Sequence, residues 1–419
     1  MLDRTIPPIT RSISKVNLIR AEKIHLSNGL PVHIIDAGQH DIIRVEIILK
    51  SGKWYEYING EAYFTSQMLL EGTADRPSRE LAEIFEYHGA HVHVNSGIDY
   101  NILTIYVIRT KWKEIIGIIK ECILRSIFPE KELSILKDIQ RQQLRIDNER
   151  NSFVAGKEIR RLLYGSNHPY GRSLEYDDFD ELKQEHINQY YRKTLLHGIE
   201  IIISGQISKD LIDVLEVFNE LPKVDPLETP HNNIGSGDVE LRIHKKDSLQ
   251  SSLRMGSRKI SKSHPDFPAL IVLNELFGGF FGSRLMKNIR EEKGYTYGIH
   301  SSIVSYIHDS YLVIGADVKK EFVDDTIDQI YHEVNRLRDE RVEDKELTTV
   351  KNYLLGNFLS SMETSFALAD KFKNIYFFGQ DYSFYDKYIE KINTITPIEI
   401  QELANRYLDK SGFQLVVVG

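Results

Sequence analysis

The sequence predicts an α+β protein built from two similar units, each a mostly antiparallel sheet covered by helices. Three observations carry that expectation. The chain has 419 residues, too many for one compact core, and such a length implies about two to three domains. Alternating, β-branched runs are interleaved with stretches of helical periodicity. The order of these elements in the first half recurs in the second. Between the halves lies Pro222–Gly237, PKVDPLETPHNNIGSG, whose three prolines and two glycines interrupt all apolar periodicity and mark a linker. The expected division is 1–221, a linker over 222–240, and 241–419.

In the first half, Lys23–Asp36 and Ile43–Lys50 alternate apolar and polar residues and read as strands, with Asn28-Gly29 suited to a tight reversal. Helical spacing follows at Tyr63–Leu70 and Ser78–Tyr87, the latter with Ser78 as expected N-cap after Pro77. Strands His91–Val94 and Asn101–Ile108 lead into long helical periodicity from Trp112 to near Asn148. A helix over Phe179–Leu195 and the apolar strand Ile199–Ser204 close the unit. The second half repeats the plan. Strands are expected at Leu241–His244, Ser251–Arg258, Gly298–Ile307, Tyr311–Asp317 and Phe413–Val418. Helices are expected at Phe267–Phe277, Ser283–Glu292, Phe322–Arg338, Asp344–Ser361 and Ile398–Leu408.

Composition narrows the function. Hydrophobic residues at 41% and charged residues at 27% are globular values and argue against disorder. A net charge of −8 argues against a nucleic-acid footprint, which shows as clustered Lys and Arg. Cys122 is the single cysteine, so an intrachain disulfide and a cysteine-based zinc site are both excluded. No apolar run approaches the roughly 18–20 residues that span a bilayer. The opening MLDRTIPPITRSI lacks the apolar core of a secretory signal. The expected location is the cytoplasm, or the periplasm if a leader has been removed.

The segment Glu61–Thr73, EAYFTSQMLLEGT, has the apolar spacing of a buried helix and a Gly-Thr stop. It resembles the signature helix of the insulinase-like (pitrilysin, M16) zinc peptidases, which carries His-x-x-Glu-His just before Met-Leu-(Phe/Leu)-x-Gly-Thr. On that pattern Tyr63 and Gln67 stand where the two histidines belong, and Ser66 where the glutamate belongs. Histidines at i and i+4 share a helix face and can reach one zinc, while the glutamate takes a proton from the metal-bound water. The family's third ligand, a carboxylate about 77 residues further on, falls at Leu144, beside Gln142 and Gln143. None of these four side chains can play its part, so no metal and no complete catalytic set is expected in this chain. His91-x-His93 shares one strand face and is half a metal site at most, with two solvent-facing histidines as the simpler reading.

Further segments carry the resemblance, which runs in order from Lys23 to the C-terminus. Leu162–Gly171, LLYGSNHPYG, is similar to the family's helix end and His-Pro-Tyr-Gly loop, where His168 is expected to bond the loop. Leu273–Gly298, LNELFGGFFGSRLMKNIREEKGYTYG, is similar to the family's Gly-Gly-x-x-x-Ser-Arg-Leu and (Leu/Ile)-Arg-Glu-x-x-Gly-x-x-Tyr patterns. The resemblance implies two homologous domains of the insulinase-like LuxS/MPP-like metallohydrolase fold. It also implies that Arg290 and Tyr297, with Tyr295 as rival, bind substrate backbone and oxyanion over a cleft. A guanidinium and a phenol are both hydrogen-bond donors, as that task requires. The plain alternative is an Arg290 ion pair with Glu291 or Glu292 and two tyrosines packing a strand. The loop Phe277–Gly282 (FGGFFG) could contact peptide or serve tight helix packing.

The implied function is the non-catalytic, substrate-binding subunit of a two-chain M16-type peptidase. A partner bearing His-x-x-Glu-His would hold the zinc, the substrate would be a peptide, and homodimerisation is left open. The alternative is an inactive scaffold like the core subunits of the cytochrome bc1 complex. A third reading is a stand-alone zinc endopeptidase with unusual ligands.

Overall fold

The computed structural model describes residues 16–228 and 239–419, so most of the expected linker (229–238) lies outside the described residues. The first sheet contains β1 (Glu22–His25), β2 (Pro31–Asp36), β3 (Ile42–Leu49), β4 (His91–Ser96), β5 (Asn101–Ile108) and β6 (Glu200–Gly205). Its order is β1-β2-β6-β3-β5-β4. The second contains β7 (Glu240–Ile243), β8 (Gln250–Lys259), β9 (Thr296–Ser305), β10 (Ser310–Lys319) and β11 (Gln414–Val418), in the order β7-β11-β8-β10-β9. Apart from β1 the two orders match strand for strand. The one parallel pair falls in the same place in each, β2 with β6 and β7 with β11. The repeat read in the sequence is therefore a repeat of topology, and the α+β class stands.

Several expected boundaries shift for local reasons. Ser78 is the first helical residue rather than the cap; extended Pro77 takes the cap position and no side chain caps this helix. The long periodicity after Trp112 is two helices, Trp112–Leu124 and Glu130–Glu149. They break where Phe128 adopts φ 49° ahead of Pro129, which cannot donate within a helix. The Phe179–Leu195 helix is likewise divided, into Asp178–Glu181, Gln184–Tyr190 and a π-helical turn over Tyr191–Leu195.

Burial along the central strands shows how the halves are joined. On β3, Ile43, Val45, Ile47 and Leu49 enter the first half's own core, while Ile48 faces a separate cluster with Leu368, Ala369 and Phe372. Those three belong to helix Ser365–Tyr376 of the second half. On β11, Leu415 and Val417 enter the second core, while Val416 and Val418 meet Ala155, Ile159 and Leu163 from helix Asn151–Tyr164 of the first half. Each half thus lends a helix to the back of the other's sheet. The two helices occupy the same place in the repeat, third after β5 and third after β10.

Polar groups fix both exchanges. Arg44 on β3 donates to Asp370 Oδ1 (2.9 Å) and to the Phe366 carbonyl (2.8 Å), and lies 3.2 Å from Glu46. Lys373 pairs with both Glu46 and Asp370. At the other junction Tyr170 donates to Asp99 (2.9 Å), whose second oxygen accepts from the Ile307 amide (3.2 Å). The Tyr170 ring stacks on Tyr306 at 4.0 Å, and Trp54 meets His308 at 4.5 Å. No helix among the described residues is long and apolar enough to cross a membrane.

Candidate functional site

The motif helix forms where expected, over Glu61–Gln67, and continues as a 3-10 turn through Met68–Leu70. It starts at Gly60, whose φ of 98° is left-handed backbone that suits glycine. Glu61 closes the turn ahead of it, accepting from the Tyr57 (2.9 Å) and Ile58 (3.1 Å) amides. Ala62, Phe64, Met68 and Leu69 are buried in the first core.

The other face has been rebuilt for hydrogen bonding. Gln67 donates its amide to the Val94 carbonyl (2.9 Å) and to Ser96 Oγ (3.4 Å) on β4. Ser66 Oγ donates to the Tyr63 carbonyl (3.0 Å) and lies 2.6 Å from Ser96 Oγ. A single proton arrangement satisfies all of these, with Ser96 donating to Ser66. Tyr63 packs edge-on against Phe64 at 5.1 Å, and burial raises its phenol above the ordinary value. Leu144 is buried in the same core. An amide, two hydroxyls and an alkyl chain offer a zinc ion neither imidazole nor carboxylate, so the residues do not fit that metal. The second half does the same at its equivalent place, where Asn274 donates to the Ser301 carbonyl of β9 (3.3 Å).

Behind the motif helix the structure gathers charges that the sequence did not single out. A cavity of 260 Å³ is lined by Lys53, Glu56, Tyr63, Ser96 and Gln140 among others. Glu56 accepts from Arg172 (2.9 Å) and from the Ala62 amide (3.0 Å), and Lys53 donates to the Arg172 carbonyl. Burial is the main cause that lowers Lys53 to about 8, with Glu56 opposing and Arg172 and Arg160 reinforcing. Burial likewise raises Glu56. The one hint in the sequence is a lysine and a glutamate flanking aromatics in Lys53–Tyr57, KWYEY. Between about pH 8 and 9.5 the unfolded chain holds a proton that folded Lys53 has released, so stability should rise with pH. Urea midpoints across that range should climb in the wild type and climb less in Lys53→Met.

The histidine pair of β4 remains a pair. The His91 and His93 rings lie 5.0 Å apart, and His93 stacks on Tyr106 at 6.1 Å. Among the described residues no group of three or more His, Cys, Asp or Glu side chains could hold a metal. His168 accepts from the Tyr170 amide at 3.1 Å, inside the loop it was expected to bond.

In the second half, Arg290 lies in the last turn of a π-helical stretch over Met286–Glu292, and Tyr297 stands at the start of β9. Arg290 makes no ion pair with Glu291 or Glu292; its guanidinium lies 4.4 Å from the ring centre of Phe281, itself 63% exposed. Tyr297 is 92% exposed. Tyr295 is different, stacked on Phe322 at 4.5 Å and 11°. The FGGFFG loop therefore divides its labour. Gly278 passes so close to β9 that a Cβ would sit 2.6 Å from Ser301 Oγ, while Phe281 faces outward under Arg290. Arg290 and Tyr297 are not brought to the motif helix. Tyr297 belongs to β9, the counterpart in the second sheet of the β4 edge that anchors that helix, and Arg290 to the π-helical stretch packed against it.

Comparison with known proteins agrees with this geometry. Residues 32–177 match the family model described as Insulinase (Peptidase family M16), and residues 173–354 match Peptidase M16 inactive domain. The chain belongs to the M16 peptidase family. Relatives include an uncharacterized zinc protease YmxG of Bacillus subtilis, 25% identical over 86% of this chain and 88% of that protein. Another is a non-peptidase homolog YmxG of Helicobacter pylori, 21% identical over 86% of this chain and 84% of that one. Among solved structures, a peptidase M16 inactive domain from Pseudomonas fluorescens superposes with a TM-score of 0.86 at 20% identity, covering 95% of this chain and 98% of that one. With its motif helix stripped of zinc-binding side chains, this M16 protein is a non-catalytic member of the family.

Proposed function

We propose that this chain is the substrate-binding subunit of a heterodimeric M16-type zinc metallopeptidase. It contributes Arg290 and Tyr297 to the peptide and its oxyanion, while a partner chain bearing His-x-x-Glu-His supplies the zinc. One contrast carries the reading. Every position of the lost metal site has found a structural use, in hydrogen bonds to β4 or in the core. Among the described residues Arg290 has no anionic partner, and Tyr297 projects into solvent. A scaffold subunit has no use for a guanidinium and an exposed phenol that follow a Gly-Phe loop, the first left free of ion pairs among the described residues and the second of packing. Tyr297 is favoured over Tyr295 as the substrate-facing tyrosine because Tyr295 is engaged by Phe322.

Co-purification from the native source tests this. A chain of similar length with the His-x-x-Glu-His motif should accompany this one, and the pair should cleave unfolded peptides in a chelator-sensitive way. The isolated chain supplied with zinc should not. Stoichiometric zinc and chelator-sensitive cleavage by this chain alone would overturn the proposal.

A further inference from the structure

The second half contains a cavity of 640 Å³ that the pairing proposal leaves unused. It lies between helix Phe267–Asn274, the end of β9 and the helices Asp344–Ser360, Ser365–Tyr376 and Ser383–Thr394. Two lysines converge there. Lys262 is 7% exposed, bonds Asn374 Oδ1 and lies 4.4 Å from the ring centre of Phe378. Lys371 lies 5.1 Å over Phe358. Neither forms an ion pair with a carboxylate among the described residues.

A buried ammonium group and a half-buried one, neither ion-paired among the described residues, form an unusual arrangement, because desolvated cations are ordinarily paired; Lys371 feels only the field of neighbouring Asp370. Burial is the first cause that brings Lys262 down to about 8, and Lys371 pushes it the same way. An anion entering between them would remove both penalties. The rest of the wall indicates which anion. Phe378, Phe384 and Tyr388 present apolar faces, which suit an organic body rather than a hydrated inorganic ion. No arginine lines the cavity to make the forked contacts that favour phosphate. Ser302, Ile303 and Ser305 come from β9, the edge strand of its sheet, whose outer side carries no strand. Asn274 already bonds the Ser301 carbonyl, but past Ser301 an edge without a neighbouring strand beside an apolar hollow is the arrangement that accepts an extended peptide. The Glu275 side chain, also in the wall, makes no hydrogen bond or ion pair among the described residues and can accept from peptide N–H groups.

We propose that this cavity binds the C-terminal end of a short peptide, with its backbone along the edge of β9, its last apolar side chains among Phe378, Phe384 and Tyr388, and its carboxylate between Lys262 and Lys371. The site needs no partner chain, so its failure would leave the pairing proposal untouched.

The test is calorimetric titration of the full isolated chain with an N-acetylated tetrapeptide ending in two phenylalanines, as free acid and as C-terminal amide. The free acid should bind about tenfold or more tightly, the scale of one charge-assisted contact. Lys371→Met should abolish the preference. Lys262→Met should do the same, and thermal melting of both variants separates lost binding from lost fold. 3-Phenylpropionate, which has the acid and ring but no peptide backbone, should bind more weakly than the tetrapeptide acid. Equal affinity for acid and amide, a preference surviving in a folded Lys371→Met, or phenylpropionate matching the peptide would each overturn the assignment.

Discussion

Arg290→Ala should lower kcat/KM of the assembled two-chain enzyme by about two to three orders of magnitude, the range for removing one oxyanion donor. The expectation rests on where the guanidinium is. It is partly exposed, held by the face of Phe281 and not ion-paired with a carboxylate among the described residues, so it is positioned and still available. A donor that acts on charge developing in the reaction should lower kcat along with kcat/KM, whereas one that only holds substrate should mainly raise KM. Tyr297→Phe removes one phenolic donor from a side chain that otherwise touches little, and should act in the same direction. Tyr295→Phe is the control: its ring stays on Phe322, and its activity should stay near wild type. Surface substitutions at exposed or half-buried positions such as these usually change stability by less than about 0.5 kcal/mol, so the variants remain folded and the kinetics interpretable. An Arg290→Ala pair as active as the wild type would refute the role.

The motif helix and its neighbours were legible because their signals are local. A Gly-Thr stop, the apolar spacing of Ala62, Phe64, Met68 and Leu69, and the absence of histidine can all be read within a few residues. The family spacing leads to Leu144, whose apolar side chain marks it as a core residue in the sequence, and the structure buries it. Tyr295 and Tyr297 could not be ranked from sequence, because the difference lies in Phe322, which reaches Tyr295 only through the fold. Lys53, Glu56 and Arg172 were invisible for the same reason: 116 positions separate Glu56 from the arginine it binds. The exchanged helices fall between these cases. Ser365–Tyr376 spaces Leu368, Phe372 and Ile375 as an amphipathic helix should, yet nothing local says that part of its apolar face belongs to the other half's sheet.

That exchange should make the two halves unfold as one. Phe372→Ala removes a ring that, in the structure, covers Ile35, Ile48 and Ile202 of the first sheet and contacts His33 at 4.9 Å. Truncating such a buried aromatic costs about 3–5 kcal/mol. The residue belongs to the second half in sequence, but both tryptophans, Trp54 and Trp112, lie in the first. Their fluorescence should therefore report the loss together with far-UV circular dichroism, in one transition at lower urea. The reciprocal change is Gly256→Val on β8. Even a Cβ there would stand 2.8 Å from Ile159 and 2.9 Å from Leu163, so the helix lent by the first half must lift away. If the exchange couples the halves energetically, Gly256→Val in the second sheet should move the transition seen by first-half tryptophans. Expressed alone, residues 1–228 should fail to fold, because the back of β3 and β6 would lie open to water. Two separated transitions, with the tryptophan signal indifferent to Gly256→Val, would show that the lent helices are contacts without cooperative weight.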